Sequence, residues 1–96
     1  MISDFGDRTT EDIFHGLDTK PARKIPHSIW PVAVRKLDMV NAAHELGDLK
    51  VPPANRLERL KGKWSGYYSI RINDQYRIVF KWADHNAKHV RITDYH

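Results

Sequence analysis

A chain of 96 residues has room for one domain built on a small core. Its 41% hydrophobic and 29% charged residues are a globular balance, and the lack of cysteine excludes disulfides, zinc ribbons and thiolate nucleophiles. The net charge of +4 is spread unevenly: residues 1–49 hold six Lys/Arg against eight Asp/Glu, and residues 50–96 hold ten against four. A basic half with interleaved aromatics is a footprint of nucleic-acid binding, or else a solvated basic surface.

Taken in chain order, residues 1–5 read as a short strand. The first five residues have no positive region followed by an apolar run, so no signal peptide is expected, and no later stretch approaches membrane-spanning length. A cytoplasmic protein with no membrane contact is expected. Asp7 to Thr10 offers helix-start chemistry, with Thr9 and Asp12 spaced as a capping box. The short helix that follows carries Ile13, Phe14 and Leu17 on one side and stops at Gly16 and Lys20-Pro21. Residues 22–27 form a basic connector closed by Pro26.

A longer helix is expected from about Ser28 to Leu46. Ser28 is a suitable N-cap, Pro31 fits the first turn, and Gly47 terminates it. Trp30, Ala33, Leu37, Val40 and Ala43 recur at steps of three and four and make one apolar face. Asp48 to Asn55, with Pro52-Pro53, must be a loop.

After it the period changes to two. Strands are expected at 57–60, 67–72, 76–82 and 89–94. A turn lies at 61–66, a tight hairpin turn at Asn73-Asp74-Gln75, and a looser turn over 83–88. Strand, two helices and then a run of strands is an α+β order. The N-terminal strand and both helices would pack on one face of a twisted, mainly antiparallel sheet. Alternation sets Ile70, Ile72, Ile78, Phe80, Val90 and Ile92 on the helix side. The other side presents Tyr67, Ser69, Arg71, Arg77, Lys81, His89, Arg91 and Thr93. That cationic face, with Lys63 on the adjoining turn, would attract phosphate and offer rings to unstacked bases, although an acidic protein could use it equally well.

Several side chains could carry chemistry. The chain closes on Asp94-Tyr95-His96, an acid, a phenol and an imidazole that titrates near neutrality. Glu58 could take a proton, Lys61 could stabilise an anionic oxygen, and the planar fork of Arg77 suits phosphate. Asp84, His85 and His89 lack a plausible further ligand, so no metal site is expected there.

The run Pro53-Ala54-Asn55-Arg56-Leu57-Glu58-Arg59-Leu60-Lys61-Gly62 resembles HigB-type toxins of the RelE/ParE superfamily. So do the hairpin from Gly66 to Phe80, with Ile70-Arg71-Ile72-Asn73-Asp74-Gln75-Tyr76-Arg77-Ile78 at its centre, and the Asp94-Tyr95-His96 end. Phe5, Ile13-Phe14 and Arg35-Lys36-Leu37 fit the pattern more loosely, so that the resemblance spans essentially all of residues 1–96 as a single domain.

The resemblance implies a RelE-like fold and cleavage of mRNA, usually on the ribosome. It also implies a type II antitoxin partner bearing a helix-turn-helix, with operator DNA bound only through that complex. Carried over position by position, it implies an active site of Glu58, Lys61, Arg77, Asp94, Tyr95 and His96. Arg71, Tyr67, Lys63, Lys81 and Arg91 would contact RNA. Some family members carry histidine where Glu58 stands, which leaves the division of acid and base roles open.

The expected chemistry needs no cofactor or metal. The 2′-OH attacks the adjacent phosphorus and leaves a 2′,3′-cyclic phosphate and a 5′-OH. A ParE-like gyrase inhibitor and a pure RNA- or acidic-partner-binding module are the competing readings, since fold alone does not fix activity.

Overall fold

Two hairpins and an N-terminal tether hold the molecule together. The computed structural model describes residues 1–94. Its elements are α1 (Arg8–Phe14), α2 (Trp30–Ala42), β1 (Glu58–Arg59), β2 (Tyr68–Arg71), β3 (Tyr76–Ala83) and β4 (Asn86–Asp94), linked by several 3₁₀ turns. The strands form an antiparallel meander in the order β1-β2-β3-β4. No described helix is long and apolar enough to cross a membrane.

The apolar stripe of α2 lands where its period requires. Ala33, Leu37, Val40 and Ala43 are buried against Ile70, Ile72, Ile78 and Phe80 of the sheet, with Ile13 from α1 and Ala87, Val90 and Ile92 from β4. Full burial of a side chain such as Leu37 or Phe80 contributes about 1.5–3 kcal/mol. The helices therefore cover one face, as the alternation of β2 and β3 requires, and Ile70 pairs with Ile78.

Local chemistry differs from the sequence reading at several ends. The α1 cap is Asp7, whose carboxylate accepts from Thr10 N–H at 2.8 Å, not Thr9. Thr9 instead donates to the Pro21 carbonyl and Thr10 Oγ1 accepts from Ile92 N–H, tying α1 to its neighbours. Gly16 ends the helix with φ at +73°, and Leu17 lies beyond it, exposed.

Ser28 does not cap α2. Pro26 leads into a 3₁₀ turn over His27–Ile29, and α2 starts at Trp30 with Pro31 in its first turn. It ends at Ala42, not Leu46, because Ala43 turns extended. Glu45 and Asp48 then cap a new 3₁₀ turn, Leu46–Lys50, which contains Gly47.

The N-terminal segment is not a full strand. Ile2 and Phe5 make isolated parallel bridges to Ala87 and Val90, the outer edge of β4. Ala87 N–H and Val90 N–H donate to Met1 and Asp4 carbonyls, and Ile92 N–H to Thr10. The free donors of a sheet edge invite pairing with another chain; here they are taken internally. The opposite edge, β1, is two residues long, shorter than the expected 57–60.

The last connection is also tighter than expected. Asp84 and His85, both at positive φ, turn β3 directly into β4, and residues 83 and 86–88 belong to the strands.

Candidate active site

The second face of the sheet is built in three rows. Arg71, Arg77 and Thr93 share one; Glu58, Ser69, Val79 and Arg91 share the next; Lys81 and Lys88 pair in the third, beside Tyr67. Partners across a ladder point to the same side, so these side chains stand together.

His89, expected on this face, is displaced from it. Val79 opposes Arg91 but Lys81 opposes Lys88, so His89 and Val90 together face Phe80. This is a β-bulge, with His89 at φ +53°. The extra residue shifts the parity of β4, puts Lys88 on the cationic side and leaves His89 paired with Asp4 at 3.2 Å. His85 pairs separately with Glu45. Among the described residues no three His, Asp or Glu side chains gather closely enough to hold a metal ion.

Nor is the face open. The Gly62–Trp64 turn folds back over it, so that the Trp64 ring lies 5.7 Å from the Arg91 guanidinium on β4 and 5.1 Å edge-on from Tyr67. Lys81 Nζ sits over the Tyr67 ring at 5.1 Å. Val79 and Leu60 are buried outside the main core, and Ser69 is fully buried. Sequence reading passed over Trp64 and Lys88. A large ring between Lys63 and Ser65 on a polar turn was the available signal for Trp64; nothing in the sequence marks the bulge that turns Lys88.

Arg77 is the centre of the arrangement. Its Nε donates to Ser69 Oγ at 2.8 Å and its Nη2 to the Arg56 carbonyl at 2.6 Å, with only 11% of the side chain exposed. Nη2 also lies 3.8 Å from Glu58 Oε1. The two sequence candidates Glu58 and Arg77 are thus brought together. Donation from two nitrogens to protein acceptors fixes the plane of the guanidinium fork. In the same row Arg71 pairs with Asp74.

The remaining candidates are placed differently. Asp94 is opposite Tyr76, one residue out of phase with Thr93, and its carboxylate accepts from Gln75 Nε2 at 3.0 Å. Lys61 follows the end of β1 where Leu60 N–H bonds Tyr67 O, whereas Arg77 is opposite Arg71 at the far end of β2. The Arg77 side chain reaches back along β2 to Ser69, so its guanidinium stands two strand residues, about 7 Å, from the Tyr67 level. Lys61 and Lys63 are exposed on the covering turn. Tyr95 and His96 lie outside the described residues. Chemically, the face offers a fixed guanidinium beside a carboxylate, flanked by Arg71, Arg91, Lys81 and Lys88 and by two rings.

Known proteins share this chain's sequence and fold. Residues 3–96 match the family described as RelE-like toxin of type II toxin–antitoxin system HigB. The chain is 43% identical over 84 residues to Toxin HigB-1 of Vibrio cholerae serotype O1, spanning 88% of this chain and 86% of that one. It is 33% identical over 61 residues to Endoribonuclease HigB of Proteus vulgaris, covering 64% and 65% of the two chains. Its fold is similar to a chain of the YoeB–YefM toxin–antitoxin heterotetramer of Staphylococcus aureus, with a TM-score of 0.55 over 100% of this chain and 98% of that one, at 20% identity. The RelE-like expectation for the fold holds, and the chain belongs to the HigB-like toxins, the toxin side of type II toxin–antitoxin systems.

Proposed function

We propose that this toxin is a metal-free endoribonuclease that cuts mRNA on the second face of its sheet, on the ribosome, and is restrained by a helix-turn-helix antitoxin. The observation that carries the reading is the Arg77 guanidinium, held by Ser69 and the Arg56 carbonyl and lying 3.8 Å from the Glu58 carboxylate. The 33% identity to a relative named an endoribonuclease supports it.

In this reaction the 2′-oxygen attacks the adjacent phosphorus as its proton passes to a base, and the P–O5′ bond breaks as the 5′-oxygen takes a proton. Glu58 is the candidate for base among the described residues. Tyr95 and His96 are the candidates for acid, with His96 an alternative base, and Asp94 would orient them. Arg77 offsets the charge that grows on the phosphoryl oxygens; fixed donors of this kind are worth about 2.7–4 kcal/mol in a transition state. Arg71 flanks the reacting phosphate. Lys61, on the turn that follows β1, would offset the same charge with Arg77; Lys63, Lys81 and Arg91 hold phosphates further along the strand, and Tyr67 gives a ring for stacking. The similar fold from S. aureus is found in complex with an antitoxin, YefM, which supports an antitoxin partner here; operator DNA would be bound only through that complex.

Inducible expression with mapping of mRNA 5′ ends tests this, run beside a plasmid relaxation assay. New 5′-OH ends and normal gyrase activity are expected. Growth arrest with intact mRNA and blocked relaxation would replace the nuclease by a gyrase inhibitor. RNA affinity without cut ends would leave only a binding module. An RNA bearing a single 2′-deoxyribose at the mapped site must resist cleavage.

A further inference from the structure

Lys36 is an unusual occupant of α2. It is 7% exposed, and the side chain it meets is not a carboxylate. Its Nζ donates to Asn55 Oδ1 at 2.5 Å. Burial, with Arg35 and Arg71 nearby, pushes its ammonium below the usual lysine value. A buried cation with so little compensation is costly to the fold, so its place calls for a reason other than stability.

Asn55 supplies one. It is fully buried, and its Nδ2 donates to the Leu49 and Val51 carbonyls at 3.2 and 3.4 Å. Its amide thereby locks the loop between α2 and β1. The next residue, Arg56, is in the left-handed region at φ +46°, and its carbonyl accepts from Arg77 Nη2. Two residues later the same segment delivers Glu58 to within 3.8 Å of that nitrogen. One short stretch thus presents both an acceptor and a carboxylate to Arg77, and it is anchored from beneath by Lys36.

We infer that Lys36 and Asn55 are positioning residues: anchored to α2, they hold residues 55–58 so that the Arg56 carbonyl and Glu58 fix the Arg77 guanidinium for the reaction. This rests on the nuclease reading, in which Arg77 meets the scissile phosphate. Neither residue touches substrate; both act through Arg77, in the way outer groups orient catalytic ones.

The test is a double-mutant cycle with Lys36→Met, which keeps the length and removes the charge, and Asn55→Asp, which keeps the volume and removes the amide donors. Each is combined with Arg77→Ala and assayed on one oligoribonucleotide, and the slowing of Arg77 Nε–H exchange is followed by NMR. The single variants are expected to fold, to lower kcat roughly 10-fold or more with KM little changed, and to speed exchange of Arg77 Nε–H; in the Arg77→Ala background they should cost nothing further. Rescue of kcat by Lys36→Arg would agree. Folded variants with kcat within about twofold of the parent, or equal losses with and without Arg77, would overturn the inference, as would loss of the native fold in both singles, which would leave a structural role alone. If the unaltered protein cuts no RNA, the nuclease reading has failed, and Arg77 Nε–H exchange still decides whether Lys36 and Asn55 hold that guanidinium.

Discussion

On the helix side of the sheet, Ile70, Ile78, Phe80, Val90 and Ile92 are held by packing with α1 and α2, whereas on the other side the semi-buried groups are held by particular polar and ring contacts. Ser69 accepts from Arg77, Arg77 donates to Arg56, and Arg91 lies against Trp64. Packing is non-directional and tolerates many sequences of the right pattern. Polar placement depends on individual angles and partners, and it is there that positive charge has been concentrated with few carboxylates to neutralise it. The first face makes the fold; the second has features that folding alone does not require. Arg91 Nε and Thr93 Oγ1, both shielded on that side, have no hydrogen-bond partner among the described residues.

Substitutions on the two faces should therefore separate stability from activity. Phe80→Ala, in the packed face, should lower unfolding free energy by about 3–5 kcal/mol in urea titration, a large part of what a domain of this size has. A loss under about 1 kcal/mol would mean the helix side is not the main core. Trp64→Ala should leave cooperative unfolding in place while raising KM for RNA by roughly 10-fold, the scale of one lost base stack. An unchanged KM would confine Trp64 to its contacts with Arg91 and Tyr67.

Acid unfolding should report on the helix side and its loops. Thr19 and Arg8 hydrogen bonds hold the Asp12 carboxyl below its usual value; Arg23 and His27 do so for Asp18, and the Glu45 and His44 amides for Asp48. Because the unfolded carboxyls bind protons more readily, the stability they add is full above about pH 5 and is lost progressively as pH falls through their lowered folded values. Melting temperatures flat between pH 3 and 5 would contradict these placements. Gly6→Ala gives the smallest effect. A Cβ there would stand 2.5 Å from Arg91 Nε, so the guanidinium packed beside Trp64 must shift, at a cost of about 1 kcal/mol and with weaker RNA binding.

The same contrast explains what the sequence revealed. The stripe Ala33, Leu37, Val40, Ala43 and the alternation of β2 and β3 follow from periods that burial enforces, and both were readable. Glu58 and Arg77 were readable as reactive types, and they do meet. His89 was misplaced because a bulge breaks the two-residue period without any sequence mark, here at a residue with positive φ that is not glycine. Trp64 was passed over because a turn gives no periodicity from which to read where its ring goes. The N-cap of α2 failed for a related reason: Pro26 imposes a 3₁₀ turn that carries the chain past Ser28 before the α-helix starts.

Whether Arg77, on the second face, acts on a ribose phosphodiester is tested most directly by single-turnover cleavage of one oligoribonucleotide. The parent and Arg77→Ala are compared, with both proteins shown to unfold cooperatively. A fall in rate on the order of 10²–10³ with 2′,3′-cyclic phosphate ends in the parent's products is expected. Equal rates for the two folded proteins would contradict it.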